Sequence, residues 1–364
     1  MTNRPKLCIT VLQRKRFPGP ESQFPAEKIM NGENPEAMCQ CLNTDEPCIA
    51  ILMAVYNPNP LWFRQQLESL NRQTYPNLRL YVRDDCSPQT PFAEIQAAVA
   101  QYITAFPAEV RRNEKNLGSN RTFELLTAEA QGDRFAYCDQ DDVWLPEKLA
   151  VMEADMERTG AVMVCCDVSV IDGQGNQKAD SITKVRKHAA HPAGTDLAPR
   201  LLFRNFVFGC ACLMDAAQAR ASLPFCPYYF HDHYLALWSA AHGLLYSEPR
   251  ALIRYRIHGS NQTGVMLGVK DKESYAACRI QIVIDRLTWL EQHFDCDDSL
   301  KQVIREGICW SKARLANWQT GKEKKTLWRY RHLELPISLF ELAAAGMPNW
   351  MVMAFIRMLR KNVI

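Results

Sequence analysis

No run of 18 apolar residues occurs in the 364-residue chain, and its first 20 residues lack the apolar core of a secretory signal. A spanning helix and a signal peptide are both disfavoured on that ground, so the chain is expected to work in the cytoplasm. Net charge is scarce as well. The 43 Lys and Arg against 40 Asp and Glu leave a formal +3, too little for the uniformly basic surface of a nucleic-acid binder. No C-x-x-C pair with zinc spacing is present, and Cys39-Gln40-Cys41 alone is a weak metal signal. The chain also lacks G-x-x-x-x-G-K-[ST], which excludes a P-loop, and G-x-G-x-x-G after its first apolar run, which argues against a dinucleotide oxidoreductase.

What is present has the balance of a globular protein, 47% hydrophobic and 23% charged, able to bury a sizeable core. The 14 cysteines are scattered, and Cys138, Cys165, Cys166, Cys210 and Cys212 stand in apolar runs. They read as small buried hydrophobes in a reducing compartment.

Residues 1–47 mix basic, Pro-rich and Gly-rich pieces without periodicity and read as a loosely ordered leader. Residues 48–55 form an unbroken apolar run of strand length, as expected of a central strand covered on both faces. Alternation follows: a helix over 61–73, a strand over 78–83, helices over 92–106 and from about 116 to 132, a strand over 135–138, a helix over 146–158 and a strand over 161–168. Strands alternating with helices predict βαβ units and a mostly parallel α/β sheet. Beyond residue 170 the pattern loosens into a turn at 172–176 and a polar loop reaching His191. Strands are expected over 206–214 and 251–255, a largely helical segment over 222–243, and consecutive helices from 274 onward.

In an open parallel sheet ligands bind beyond the carboxyl ends of the strands. Three such ends carry polar clusters: Tyr56-Asn57, Asp84-Asp85 and Asp139-Gln140-Asp141-Asp142. Turn formation and helix capping account for any one of them. They account poorly for five carboxylates at two strand ends, because like charges repel unless a cation compensates. Asp139 and Asp141, two residues apart on a turn, can meet one cation from the same side. Oxygen ligation favours Mg²⁺ or Mn²⁺, which share their remaining positions with water and substrate phosphates.

The ordered set 54–57, 82–87, 116–118 and 137–144, followed by Phe208-Gly209-Cys210-Ala211-Cys212, His231-Asp232-His233 and Tyr255-Arg256-Ile257-His258, resembles family 2 glycosyltransferases of the GT-A fold. The combination, especially its last two motifs, is similar to rhamnosyltransferase-like members that build bacterial surface polysaccharides. The resemblance implies an α/β GT-A domain over 48–265, with a donor half at 48–145 and an acceptor half at 146–265, followed by a helical C-terminal extension over 266–364. It implies a nucleotide-diphosphate sugar donor, a glycan or lipid-linked acceptor, and Mn²⁺ or Mg²⁺. Donor contacts would come from Val55, Tyr56, Asn57, Asp84, Asp85, Asn116, Gly118, Asp139, Gln140 and Asp141. Asp139, Asp141 and His258 would hold the metal, and Asp232 would be the catalytic base, with Gly209 and His231 on the acceptor side. His231 stands where the family often has Glu. A non-catalytic nucleotide-sugar-binding or scaffold subunit is the alternative from another class. Residue by residue, Asp232 also reads as a helix N-cap, and Arg254 and Arg256 as solvated strand residues.

Residues 301–364 hold 12 Lys and Arg against 4 Asp and Glu, together with Trp310, Trp318, Trp328 and Trp350. Aromatic and basic residues on helices suit an anionic membrane surface. The other reading is a helical cap with a solvated basic face.

Overall fold

The structure, a computed structural model, describes residues 45–185, 191–259 and 268–361. Cys39 and Cys41, most of the expected leader, and His188 lie outside the described residues. Among the described residues nine strands form one sheet: β1 Ile49–Val55, β2 Leu78–Asp84, β3 Ala108–Arg112, β4 Arg134–Cys138, β5 Val143–Trp144, β6 Met163–Ile171, β7 Gln177–Ala179, β8 Cys212–Asp215 and β9 Leu245–Arg256. Their order is β3-β2-β1-β4-β8-β6-β9-β5, with β7 paired to β6. β1 to β4, β6 and β9 run in one direction, and β5, β7 and β8 oppose them.

Alternation along the buried strands explains the layering. In β1, Ala50 and Leu52 face one core and Ile49, Ile51, Met53 and Val55 the other. β4 repeats the division, with Phe135 and Tyr137 opposite Ala136 and Cys138. A strand apolar on both faces requires helices on both faces. Pro60–Asn71, Phe92–Tyr102 and Lys148–Thr159 cover one side through Phe63, Leu67, Ile95, Val99, Leu149 and Met152. Ser119–Glu129, His231–His242, Ile282–His293 and Asp298–Thr320 cover the other, so Leu287, Leu290, Ile304 and Ile308 share a core with Leu52 and Tyr137. The five cysteines named above are buried free thiols.

Several expectations are corrected. The edge strand β3 lies just beyond the second helix, which ends at Tyr102. It is mostly exposed and mixes charge into Ala108-Glu109-Val110-Arg111-Arg112, so no apolar run marks it. The supposed strand over 206–214 is a 3₁₀ turn, Gly209–Ala211, entering the short β8. The helix expected across 222–243 starts only at His231. β9 begins at Leu245, earlier than its apolar stretch suggests, because Glu248 and Arg250 pair with each other in its middle. The polar stretch after Asp172 contributes β7.

Candidate functional site

The carboxyl ends of β1, β2, β4 and β9 lie at one edge of the sheet, and because β8 is antiparallel its entering turn Gly209–Ala211 lies there too. That geometry gathers Tyr56, Asp85, Asp139 to Asp142, Gly209 and His258 from a span of about 200 residues.

The donor-side loops are tied together by their own side chains. Tyr56 N–H donates to Gln140 Oε1 at 2.8 Å, and Gln140 Nε2 donates back to the Tyr56 carbonyl at 3.1 Å. The β1 end and the acidic turn therefore move as one piece, with the Tyr56 side chain left exposed. Asn57 adopts φ 43°, a left-handed conformation that Asn tolerates, and its carboxamide accepts from Gln89 N–H at 2.9 Å. Asp84 is buried, accepts from Ser87 and pairs with Arg112 at 3.2 Å. Asp85 accepts from Asn113 Nδ2 and from the backbone N–H groups of Leu117 and Gly118 at 2.9, 2.7 and 2.8 Å. At about 1.5–3 kcal/mol for each bond to a charged acceptor, Asp85 fixes the loop that carries the exposed Asn116. Gly118, at φ 82°, then opens helix Ser119–Glu129.

At the acidic turn, His258 Nε2 lies 2.8 Å from Asp141 Oδ2, and its ring packs on Trp62 at 4.7 Å. Behind them Asp142 is fully buried; its Oδ1 accepts from Arg256 N–H at 2.9 Å, and its Oδ2 has no partner beyond the weak Cys210 thiol. Oxygen or sulfur atoms of Asp139, Asp142 and Cys210 lie within 4.8 Å of one another. Burial, and then Asp142, Asp141 and Asp232, push the Asp139 carboxyl well above the carboxylate range. Burial and Asp141 likewise push Asp142 up to about 7. Carboxylates gathered out of water raise one another in this way, and Arg256 offsets only part of the rise at Asp142. The clustered oxygens, the orphaned Asp142 Oδ2 and one imidazole at the rim together fit a hard divalent cation.

Asp232 stands in the first turn of His231–His242, half-buried, close enough to Asp139 for its charge to raise that carboxyl. Burial lifts its own carboxyl to about 6, against the opposing pull of His233 N–H, Gly209 N–H and the Asn205 side chain. It is therefore ionised at neutral pH yet more basic than a solvated aspartate. Its neighbour His231 behaves differently from the expected acceptor-side group. The ring is 8% exposed, packed on Phe123 at 4.0 Å and near Tyr137, and kept neutral by burial, which lowers its pKa to about 3. Gly209 is required by that packing, since a Cβ there would stand 2.6 Å from His231 Nε2.

Arg256 is not a solvated strand residue. It is 1% exposed, donating to the carbonyls of Asp141 and Asp172 and to Gln65 Oε1 at 2.7, 3.2 and 2.8 Å, with its guanidinium over Trp62. Asp142, Cys210 and Arg256 stand within the motifs without a site role assigned to them from sequence, and Trp62 was not singled out. The one local signal was a basic residue two positions before His258.

Residues 50–216 match Glycosyl transferase family 2. Over 122 residues the chain is 32% identical to the putative colanic acid biosynthesis glycosyl transferase WcaA of Escherichia coli, covering 31% of this chain and 39% of that protein. Relatives at 30% identity or more are matched over only 26% to 39% of their own length. Among solved structures, S. aureus TarS 1–349 in complex with UDP-GlcNAc superposes with a TM-score of 0.54 at 13% identity, over 87% of this chain and 90% of that one. The mannosyltransferase PcManGT of Pyrobaculum calidifontis, in complex with GDP-Man and Mn²⁺, gives 0.50 at 14% identity over 87% and 81%. Residues 50–216 are thus similar to family 2 glycosyltransferases, and the chain shares the α/β GT-A fold of these solved structures.

Proposed function

We propose that the chain is a cytoplasmic, inverting, metal-dependent glycosyltransferase. It would move a sugar from a nucleotide-diphosphate donor, dTDP-rhamnose or a UDP-sugar, to a growing cell-surface glycan of the O-antigen or capsule type. The observation that carries this reading is the meeting of Asp139, Asp141 and His258 with the basic carboxylate of Asp232 at one sheet edge. The nucleotide sugars bound by TarS and PcManGT, and the biosynthetic role in WcaA's name, support the substrate class.

Asp139, Asp141 and His258 would hold Mn²⁺ or Mg²⁺. A divalent cation there supplies Lewis-acid stabilisation of the charge that develops on the leaving diphosphate. The Gln140–Tyr56 pair and the Asp85-held loop keep the donor side rigid, with Tyr56 free to lie beside the base. Asp232 takes the acceptor hydroxyl proton as that oxygen attacks the anomeric carbon from the face opposite the diphosphate, and this single displacement inverts the centre. The leaving diphosphate needs no proton, so a second carboxylic acid of the glycosidase kind is unnecessary. The acceptor is read as a glycan or lipid-linked glycan met at the inner face of the cytoplasmic membrane.

The test is nucleotide release by the purified chain from a panel of nucleotide sugars with Mn²⁺. Asp141→Ala should abolish metal-dependent donor binding and turnover while leaving the protein folded, because Asp141 lies on a turn outside the apolar core. Full activity of that variant in EDTA would overturn the metal assignment. Absence of nucleotide release with every donor, while the donor still binds, would favour a non-catalytic subunit.

A further inference from the structure

Helix Asn349–Lys361 packs inward through Val352, Met353 and Ile356, which are buried. Its outward side is apolar as well. Trp350, Met351, Phe355 and Met358 are 71%, 39%, 40% and 50% exposed. At 3.6 residues per turn they occupy, with exposed Ala354, one arc of about 140° opposite the buried three. The outward side of a docked helix is ordinarily its polar side. Beside it, helix Leu335–Ala344 exposes Leu335 and Leu339 one turn apart, and Phe340 stacks on Phe355 at 5.2 Å, so the two faces are continuous.

Exposed charge from residue 321 onward is mostly basic, while Asp271, which caps the neighbouring helix Lys272–Tyr275, and Glu273 within it supply acid on one flank. Lys322, Lys324, Lys325, Arg329 and Arg357 are exposed. Of the three acids from residue 321 onward, Glu334 and Glu341 are buried in pairs with Arg204 and Arg314, leaving only Glu323 among them outside such a pair. Trp310 and Trp318, which the sequence offered to a membrane, are buried.

We propose that the faces of Leu335–Ala344 and Asn349–Lys361 form a docking surface for an anionic phospholipid bilayer, with Trp350, Met351, Phe355 and Met358 entering the boundary between headgroups and acyl chains. This deepens the reading of a membrane-side acceptor and rests on it. Aromatic and long apolar side chains with a cationic surround are the composition that lies in that interface, and anionic headgroups supply the opposite charge. A second copy of the chain would bring two like-charged surrounds together across a two-fold contact, which opposes association. The helix is 13 residues long and lies on the surface without spanning.

The experiment is co-sedimentation of the full chain with phosphatidylglycerol and phosphatidylcholine vesicles. Binding is expected to phosphatidylglycerol, weaker to phosphatidylcholine, and reduced but not abolished by high salt. Trp350→Ser with Phe355→Ser should lower partitioning by about 10-fold or more while the chain stays folded, its melting temperature falling only by the lost stack of Phe355 on Phe340. Lys324→Gln with Lys325→Gln should lower only the salt-sensitive part. The proposal is overturned if wild type ignores both vesicles. It is equally overturned if ultracentrifugation without lipid shows a dimer that the Trp350→Ser, Phe355→Ser variant abolishes. Donor hydrolysis without vesicles reports on the glycosyltransferase reading alone, so its loss and the loss of docking are separate results.

Discussion

Asp232 shows how competing effects set a residue's role. Four hydrogen-bond donors favour its charged form, yet burial outweighs them and leaves the carboxyl at about 6. Its raised value predicts that transfer falls as pH drops through about 6, because the base must be ionised to accept the acceptor's proton. Asp232→Asn keeps shape and hydrogen bonding but cannot take a proton. Transfer should fall by about 10²-fold or more with calorimetric donor affinity near wild type. Loss of donor binding instead would make Asp232 a donor-side or structural residue. His231, the adjacent residue, is committed to packing by its contacts with Phe123 and Gly209.

At the scale of elements, the end of β9 is held by the turn after β4. Asp142 binds the backbone of Arg256, and Arg256 reaches the carbonyl of Asp141, so the strand that carries His258 is registered against the acidic turn. The cost is a buried carboxylate beside Asp139 and Asp141. A carboxyl whose folded pKa is raised binds a proton more readily folded than unfolded. The stability it contributes is full below about pH 4 and is lost as pH rises through about 7. Without divalent cation the protein should therefore melt higher at pH 5.5 than at pH 7.5. Asp142→Asn retains an oxygen for Arg256 N–H and can donate toward Asp139. It should raise the melting temperature at pH 7.5 by roughly 3 °C and narrow the difference between the two pH values. A variant that melts lower at pH 7.5 would show that the ionised carboxylate stabilises the turn.

Across the whole molecule, the C-terminal helices share the core of one face of the sheet. Leu287 and Phe203 crowd Gly307, where an added Cβ would stand 2.8 Å from Leu287. Arg314 and Glu341 form a buried bidentate pair at 2.7 and 2.6 Å, joined by Tyr275 Oη at 2.9 Å. Glu341→Ala would leave the guanidinium buried without its partner, at a cost of about 3–5 kcal/mol. Denaturant unfolding followed by near-ultraviolet dichroism should show that loss in a single transition, because the helices and the sheet are packed together. Two separated transitions would mean that the extension folds independently.

The alternating strands and helices were legible because β1 is buried on both faces and apolar throughout, and β4 after Arg134 and β6 up to Asp167 repeat that pattern. The D-x-D turn, the Asp85 loop and the Asp232 helix start were legible because their residue types recur in one order. Burial of charge could not be read in the same way. Arg254 and Arg256 are two residues apart on one strand, so local pattern makes them equivalent; Arg254 is exposed, while Trp62, Gln65 and the carbonyls of Asp141 and Asp172 enclose Arg256. The same holds for the tryptophans of the tail, where Trp310 and Trp318 were taken inward by helix packing and Trp350 was left outside. Periodicity and chemical type are properties of neighbouring residues, and the sequence by itself determined the main alternation of strands and helices and which polar clusters stand at the strand ends. Which charges lose their water and which apolar faces stay uncovered depends on segments far apart in the chain, and only the tertiary structure decided that.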